Sequence, residues 1–163
     1  MVAMPSVPSL GASSVTGYLV LGIGTRANNA PSGITAYGAT SSSYFTTTFG
    51  GSTYTGFLDT GSNGLFFPNF GIPLSGSFYA PSCPLDLSAT NTGAGSLPNV
   101  GSVGFHIENV TTLAATGNKV FSNLGAPNGT YFDWGFPFFL GRNVFVGIDG
   151  TSSSLGTGPY WAY

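Results

Sequence analysis

A chain of 163 residues that is 42% hydrophobic and 15% aromatic but only 5% charged, with 26 glycines and 11 prolines, has the profile of one β-rich, turn-rich globular domain and has too many aromatics to be disordered. Its formal net charge of −2 rests on a basic complement of only Arg26, Lys119 and Arg142, which leaves nothing to neutralise phosphates and argues against nucleic-acid binding. Cys83 is the only cysteine, so no internal disulfide or thiolate metal site is available, no metal or cofactor is expected, and the thiol is either free or paired outside this chain.

So few ionisable groups leave little stability linked to pH. They also imply a surface coated in Ser, Thr, Asn and Gly, which suits an acidic or extracellular setting. No apolar run approaches the roughly 18 residues of a membrane span. The opening Met1-Val2-Ala3-Met4-Pro5 lacks the basic and apolar regions of a secretory signal, so the expectation is that either export is specified elsewhere or the beginning of the gene is absent.

In chain order, residues 1–15 are rich in Pro, Ser and Gly and read as an extended lead-in, with a single domain over 16–163. Thr16 to Thr25 is nearly continuously apolar and predicts a buried strand. Asn28 to Gly33 is punctuation, and Ile34 to Tyr37 predicts a short strand. The clearest hairpin is Tyr44 to Phe49, then Gly50-Gly51, then Ser52 to Leu58, because paired glycines supply the positive φ angles of a primed two-residue turn. Prolines at 68, 73, 81 and 84 predict loop from Pro68 to Pro84. A short strand over Leu87 to Thr90 and a loop over Asn91 to Ser96 follow. Ser102 to Glu108 alternates with period two, placing Val103, Phe105 and Ile107 on one face and His106 on the other. Val110 to Ala115 is the one candidate helix, Lys119 to Leu124 is ambiguous, and Phe136 to Arg142 and Asn143 to Asp149 are strongly apolar. Gly158 to Tyr163 predicts a last strand docked on a sheet.

Within this frame, Phe57-Leu58-Asp59-Thr60-Gly61-Ser62-Asn63-Gly64-Leu65 carries the strongest chemical signal. With only five Asp and Glu in the chain, an acid directly behind two large apolar residues reads as buried or half-buried rather than as casual surface charge. Burying an ionised carboxylate costs several kcal/mol unless donors surround it, and the Thr60 hydroxyl with the Gly61 and Ser62 amides can supply them. The chemistry indicated is a carboxyl held in place as a general acid or base.

A second signal lies about 80 residues on, in Phe138-Phe139-Leu140-Gly141-Arg142-Asn143-Val144-Phe145-Val146-Gly147-Ile148-Asp149. Together the two resemble a lobe of the pepsin-like aspartic peptidases, its C-terminal lobe by order and spacing. More closely, with Gly22-Ile23-Gly24-Thr25, Asn28-Asn29-Ala30 and Phe132-Asp133-Trp134-Gly135 added, the set looks like an uncharacterised family of exported bacterial pepsin-like proteins carrying two acid turns in a longer chain. The resemblance implies an all-β, pepsin or retropepsin-type lobe of twisted antiparallel sheets forming a partly open barrel, with little helix. It implies Asp59 as the catalytic acid, supported by Thr60, Gly61, Ser62, Gly64, Leu140 and Gly141, the last where backbone passes too close for a side chain. It further implies a peptide or protein substrate and a secreted, periplasmic or extracellular location.

The departure is that such a peptidase needs two carboxylates sharing one proton, whereas only one Asp-Thr-Gly is present. Asp86, Asp133 and Asp149 lack the following Thr-Gly, so none is expected to be the second member. The missing partner is then an N-terminal lobe or a second copy of this chain, or the chain is inactive. A lobe severed from a two-lobed protein is the favoured reading. The contrasting expectation is a catalytically inactive extracellular structural or adhesin-like β protein, and a weaker one is carbohydrate binding through Tyr54, Trp134 or Trp161. Beside these stand plainer readings: Asp59 and Ser62 as turn stabilisers, Thr60 bonding across the site, His106 as a surface residue, Asp133-Trp134 as a turn acid beside a packing anchor, and Tyr79 as loop packing.

Overall fold

Gly50 and Gly51 sit at φ +58° and +79° between two runs of aromatic and β-branched residues, and the chain reverses there as the paired glycines predict. In the computed structural model, which describes residues 1–163, the elements follow in order. They are β1 (Val2–Ala3), β2 (Tyr18–Leu19), a 3-10 turn (Ala27–Asn29), β3 (Ala36–Gly38), β4 (Phe45–Phe49), β5 (Ser52–Leu58), β6 (Leu65–Phe67), β7 (Leu74–Ser75), β8 (Phe78–Tyr79) and β9 (Leu85–Thr92). Then come β10 (Val100–Ile107), α1 (Val110–Ala115), β11 (Gly125–Pro127), β12 (Tyr131–Trp134), α2 (Phe136–Phe139), β13 (Asn143–Gly147), β14 (Ser152–Ser153), β15 (Gly156–Thr157) and β16 (Tyr160–Ala162). The protein is mostly β, and its main sheet curls into an open half-barrel.

That main sheet has seven strands in the order β10-β9-β4-β5-β12-β6-β11, and a second has five in the order β2-β1-β13-β16-β3. In the main sheet, β5 and β6 are consecutive in the chain but do not pair with each other. Strand β12 lies between them, parallel to β5 with Trp134 opposite Leu58, and antiparallel to β6 with Asp133 opposite Phe66. The connection from β5 to β6, residues 59–64, therefore spans two inter-strand gaps, about 10 Å, across the end of β12.

Aromatic side chains fill the interior. Phe67, Phe132 and Trp134 are fully buried, and Phe105 meets Trp134 edge-on at 5.4 Å between centroids, the arrangement that ring quadrupoles favour. A buried polar network crosses this core. Thr47 donates from Oγ1 to Asn91 Oδ1 at 2.7 Å, Asn91 Nδ2 donates to the Tyr163 hydroxyl at 2.8 Å, and the Trp134 indole N–H is shared between Asn91 Oδ1 at 3.2 Å and Thr47 Oγ1 at 3.3 Å. Tyr163 follows β16, so the network joins the end of the five-stranded sheet to the main one.

Several expectations are met closely. The hairpin, the period-two pattern over β10, helix α1 and the terminal strand lie where predicted, and Val103 and Ile107 are buried while His106 is exposed. Others need correction. The Thr16 to Thr25 run is not a buried strand: only Tyr18–Leu19 pairs, and Leu19 and Leu21 are 74% and 83% exposed. Positive φ at Gly22 and Gly24 turns the chain out of the sheet, and β2 is an edge strand. Residues 1–15 are built into the fold: β1 pairs with both β2 and β13, Met4 bridges Leu140, and a turn at Pro8 to Gly11 brings Ala12 against Val120. The strand expected over Leu87 to Thr90 runs the full length of β9, because β10 and β4 pair with it on either side. The 68–84 loop holds the small β7-β8 hairpin, with Tyr79 buried and its hydroxyl donating to the Phe67 carbonyl at 2.7 Å. Trp134 is fully buried, which removes it as a carbohydrate platform.

The Thr47, Asn91, Trp134 and Tyr163 network yields a stability prediction. Asn91→Ala strips the partner from the Tyr163 hydroxyl and weakens those of Thr47 and Trp134, so chemical denaturation should show a loss on the order of 3 kcal/mol. A surface change such as Thr53→Ala should stay within about 0.5 kcal/mol.

Candidate functional site

The candidate site is the connection that straddles β12. Strand β5 ends at Leu58, whose side chain is buried, and the next residue, Asp59, is half-buried at the rim. Its backbone N–H donates to the Trp134 carbonyl at 3.1 Å, extending the β5–β12 ladder by one rung. The Asp59 carboxylate is held by its own turn: Oδ1 accepts the Gly61 N–H at 2.7 Å and Oδ2 accepts the Ser62 hydroxyl at 2.9 Å. This is the local donor arrangement that Asp in a turn adopts, and it fixes the orientation of the carboxylate. Thr60 and Gly61 are exposed, Ser62 is half-buried and Gly64 is buried.

From the far side, the Phe136 N–H donates to the Ser62 carbonyl at 2.7 Å, and the Leu65 N–H donates to the Leu124 carbonyl at 2.9 Å. The acid turn is thus sewn to β12 and to the segment leading into β11. Between the first two anchors lies Gly135. A Cβ there would collide with the Gly64 carbonyl oxygen and lie 2.8 Å from that of Ser62, so the close approach admits only glycine.

That position was expected to be Gly141, and the structure places Gly141 elsewhere. It is exposed at φ +78°, its N–H donates to the Met4 carbonyl at 3.1 Å, and the nearest atoms to a Cβ there belong to Ser6, at 3.4 Å and beyond. Leu140 is buried and bridges Met4. The physical reason is α2. Pro137 sits in its first turn, and this one helical turn separates β12 from the Leu140-Gly141 step, carrying that step to the N-terminal segment. The Arg142 guanidinium closes the turn from below, donating to the Phe138 carbonyl at 2.6 Å and lying 4.6 Å from the Phe138 ring centre.

The residue that sequence reasoning underrated is Asp133. It lies in the middle of β12, not in a turn, and is only 6% exposed. Its Oδ2 stands 2.7 Å from Ser62 Oγ, the same hydroxyl that reaches Asp59, while no protein group hydrogen-bonds its buried Oδ1. Burial pushes its pKa up to about 6, Ser62 opposes the shift, and the Asp59 charge adds to it. The available signal was Phe132-Asp133-Trp134, an acid between two large aromatics, which has the character of a central strand. The rule that singled out Asp59 applied equally there.

The remaining candidates lie apart. His106 and Asp86 face each other across β10 and β9 as an exposed pair at 2.5 Å, worth little to stability. No group of three or more His, Cys, Asp and Glu stands close enough to hold a metal ion. Cys83 is exposed and unpaired within the chain.

Compared with known proteins, the whole chain, residues 1–163, matches a family model described as "Protein of unknown function (DUF3443)". No curated protein and no solved structure matches it.

Two predictions follow from this geometry. Folded protein holds the Asp133 proton up to about pH 6, whereas the unfolded chain releases it near pH 4, so the native state binds more protons in that interval. Stability should therefore fall by on the order of 3 kcal/mol as the pH rises from about 4 to about 7, and Asp133→Asn should flatten that dependence in denaturant titrations. In thermal unfolding, Gly135→Ala should be far more damaging than Gly141→Ala, which should cost about 1 kcal/mol for its left-handed backbone.

Proposed function

The chain belongs to the DUF3443 family, and from that premise and the geometry of its acid turn we propose that it is an aspartic-peptidase-like lobe supplying one catalytic carboxylate, Asp59, to an acid-type peptide-hydrolysing pair. The observation that carries this reading is the placement of Asp59. It is a half-buried carboxylate at a strand end, with a backbone amide on one oxygen and a hydroxyl on the other, over a strand that threads through the sheet beneath it. A general base needs such fixed orientation together with access to solvent and substrate.

In the proposed reaction, an ionised carboxylate of the pair takes a proton from water as the water oxygen attacks the scissile carbonyl carbon. The other carboxyl gives its proton to the carbonyl oxygen. Collapse of the tetrahedral species breaks the C–N bond, the amine leaves with a proton, and a carboxylic acid remains. Asp133 does not serve as the second member, because its carboxyl is enclosed and cannot reach a substrate. The second carboxylate belongs to a companion, either another lobe or a second copy of this chain. An apolar rim is consistent with one: Leu19, Leu21 and Ile148 are 74%, 83% and 70% exposed and line one hollow beside β1 and β2, the kind of surface a companion can cover.

The same rim also favours the alternative, a catalytically inactive extracellular β protein that uses it for assembly. Under either reading a secreted or periplasmic location fits the scarcity of charge. No helix is long and apolar enough to cross a membrane.

Cleavage of an unstructured peptide at acid pH separates the two. It should be measured for this chain and for any longer natural polypeptide that contains it, with and without pepstatin. Asp59→Asn should lower the rate at least about 100-fold, and pepstatin should inhibit. Cleavage that survives the substitution removes Asp59 from the chemistry, and folded protein with no cleavage in either form favours the inactive reading. Sedimentation should show a discrete dimer if two copies complete the pair, and an open polymer if assembly is the role.

A further inference from the structure

We propose that Asp133 is a positioning residue for Asp59, the two carboxyls sharing one proton through the Ser62 hydroxyl, with Asp133 as its holder. Ser62 Oγ lies 2.9 Å from Asp59 Oδ2 and 2.7 Å from Asp133 Oδ2. A serine hydroxyl has a single hydrogen to donate. With both acids ionised, one of these two short contacts would bring a lone pair against a carboxylate with no hydrogen between them. A proton on Asp133 Oδ2 resolves the conflict: Asp133 donates to Ser62 Oγ, and Ser62 donates to Asp59 Oδ2. The line of hydrogen bonds then has one direction and every short contact contains a hydrogen.

The proton belongs on Asp133 rather than on Asp59 for three reasons. Asp133 is only 6% exposed, and its Oδ1 is buried without a donor, an arrangement far less costly for a neutral carboxyl than for a carboxylate. Asp59 is half-exposed and already accepts the Gly61 amide on Oδ1, so a full charge there has both solvent and a donor to meet it. Finally, nothing positive stands near Asp133 to hold it charged. The residues opposite it are Phe57 on β5 and Phe66 on β6, and the ionisable group acting on it is Asp59 itself. Burial and the neighbouring negative charge both raise its proton affinity, which agrees with this assignment.

When Asp133 loses its proton, the Ser62 hydroxyl is contested by two anions and Asp59 loses its assured donor on Oδ2. Asp133 thereby sets the upper pH at which Asp59 keeps its orientation. The shared proton does not depend on the peptidase reading, although its meaning for catalysis does.

The test is a carbon NMR titration of Asp side chains labelled at the carboxyl carbon, practical because the chain has only four aspartates, at 59, 86, 133 and 149. In the wild-type chain, Asp133 should titrate within about a unit of pH 6, and the Asp59 signal should show, besides its own step, a second one at the Asp133 midpoint. Asp59→Asn should lower the Asp133 midpoint by removing the nearby negative charge. Ser62→Ala should shrink the second Asp59 step to a small through-space residue, and Ser62→Thr, which restores a hydroxyl, should bring it back. An Asp133 midpoint near the ordinary carboxylate value, or a second Asp59 step that is unchanged in Ser62→Ala, overturns the proposal. If Ser62→Ala fails to fold, the wild-type and Asp59→Asn titrations decide alone. Peptidase activity plays no part in the readout, so a chain that proves inactive leaves this test intact, and a negative titration leaves the Asp59 assignment standing.

Discussion

The structure depends on one act of threading: β12 runs between two strands that are neighbours in the chain. Because β5 and β6 are held apart by an intervening strand, their connection has to arch over the end of that strand. Six residues reach about 20 Å when extended, twice the span of about 10 Å; the surplus is folded into the Asp59 turn, whose Ser62 and Gly64 carbonyls face the backbone passing beneath. Only a bare glycine fits there, at position 135. In return, the backbone hydrogen bonds to Trp134 and Phe136 pin the arch at both ends. The acid at its first residue inherits a fixed place from this main-chain geometry and from the Gly61 amide and Ser62 hydroxyl on its oxygens.

Strand β12 also divides its last two side chains between two tasks. Successive residues of a strand face opposite ways, and here Trp134 reaches Thr47 and Asn91 while Asp133 reaches Ser62. The indole therefore anchors the strand to the core network that ties in Tyr163, and the carboxyl beside it sets the electrostatics of the acid turn. A shift of β12 by one residue would exchange these partners. Packing deep in the core and protonation at the rim are thus coupled through a single backbone segment, and aromatic burial that looks purely structural bears on the chemistry of Asp59.

A chain with five acidic residues spends two of them within reach of one serine hydroxyl. Among the others, His106 and Asp86 form an exposed pair that solvent screens, and Arg142 is packed against Phe138. The shared proton proposed for Asp133 and Asp59 draws on this contrast. At this one place two carboxyls are brought close together and partly out of water, Asp133 holding Asp59 in position while the second carboxylate of the proposed reaction lies outside this chain.

Features that depend on neighbours in sequence were readable without coordinates. Paired glycines specified the β4-β5 turn through their own φ angles, the alternation over β10 assigned its inner and outer faces, and the apolar run into Asp59 placed an acid at a strand end. Tertiary structure decided what depends on residues distant in the chain. The Thr16 to Thr25 run reads as core because burial is inferred from apolarity, yet its place at a sheet edge leaves it exposed. Leu140-Gly141 has the right local pattern, but which glycine lies under the acid turn is settled by where β12 ends and α2 begins. Asp133 is invisible as a partner of Asp59 because 74 residues separate them and only parallel pairing with β5 brings them to one hydroxyl. Periodicity and turn chemistry act over a few residues, whereas the approach of two carboxyls is a consequence of strand order, and strand order is decided by the packing of the whole core.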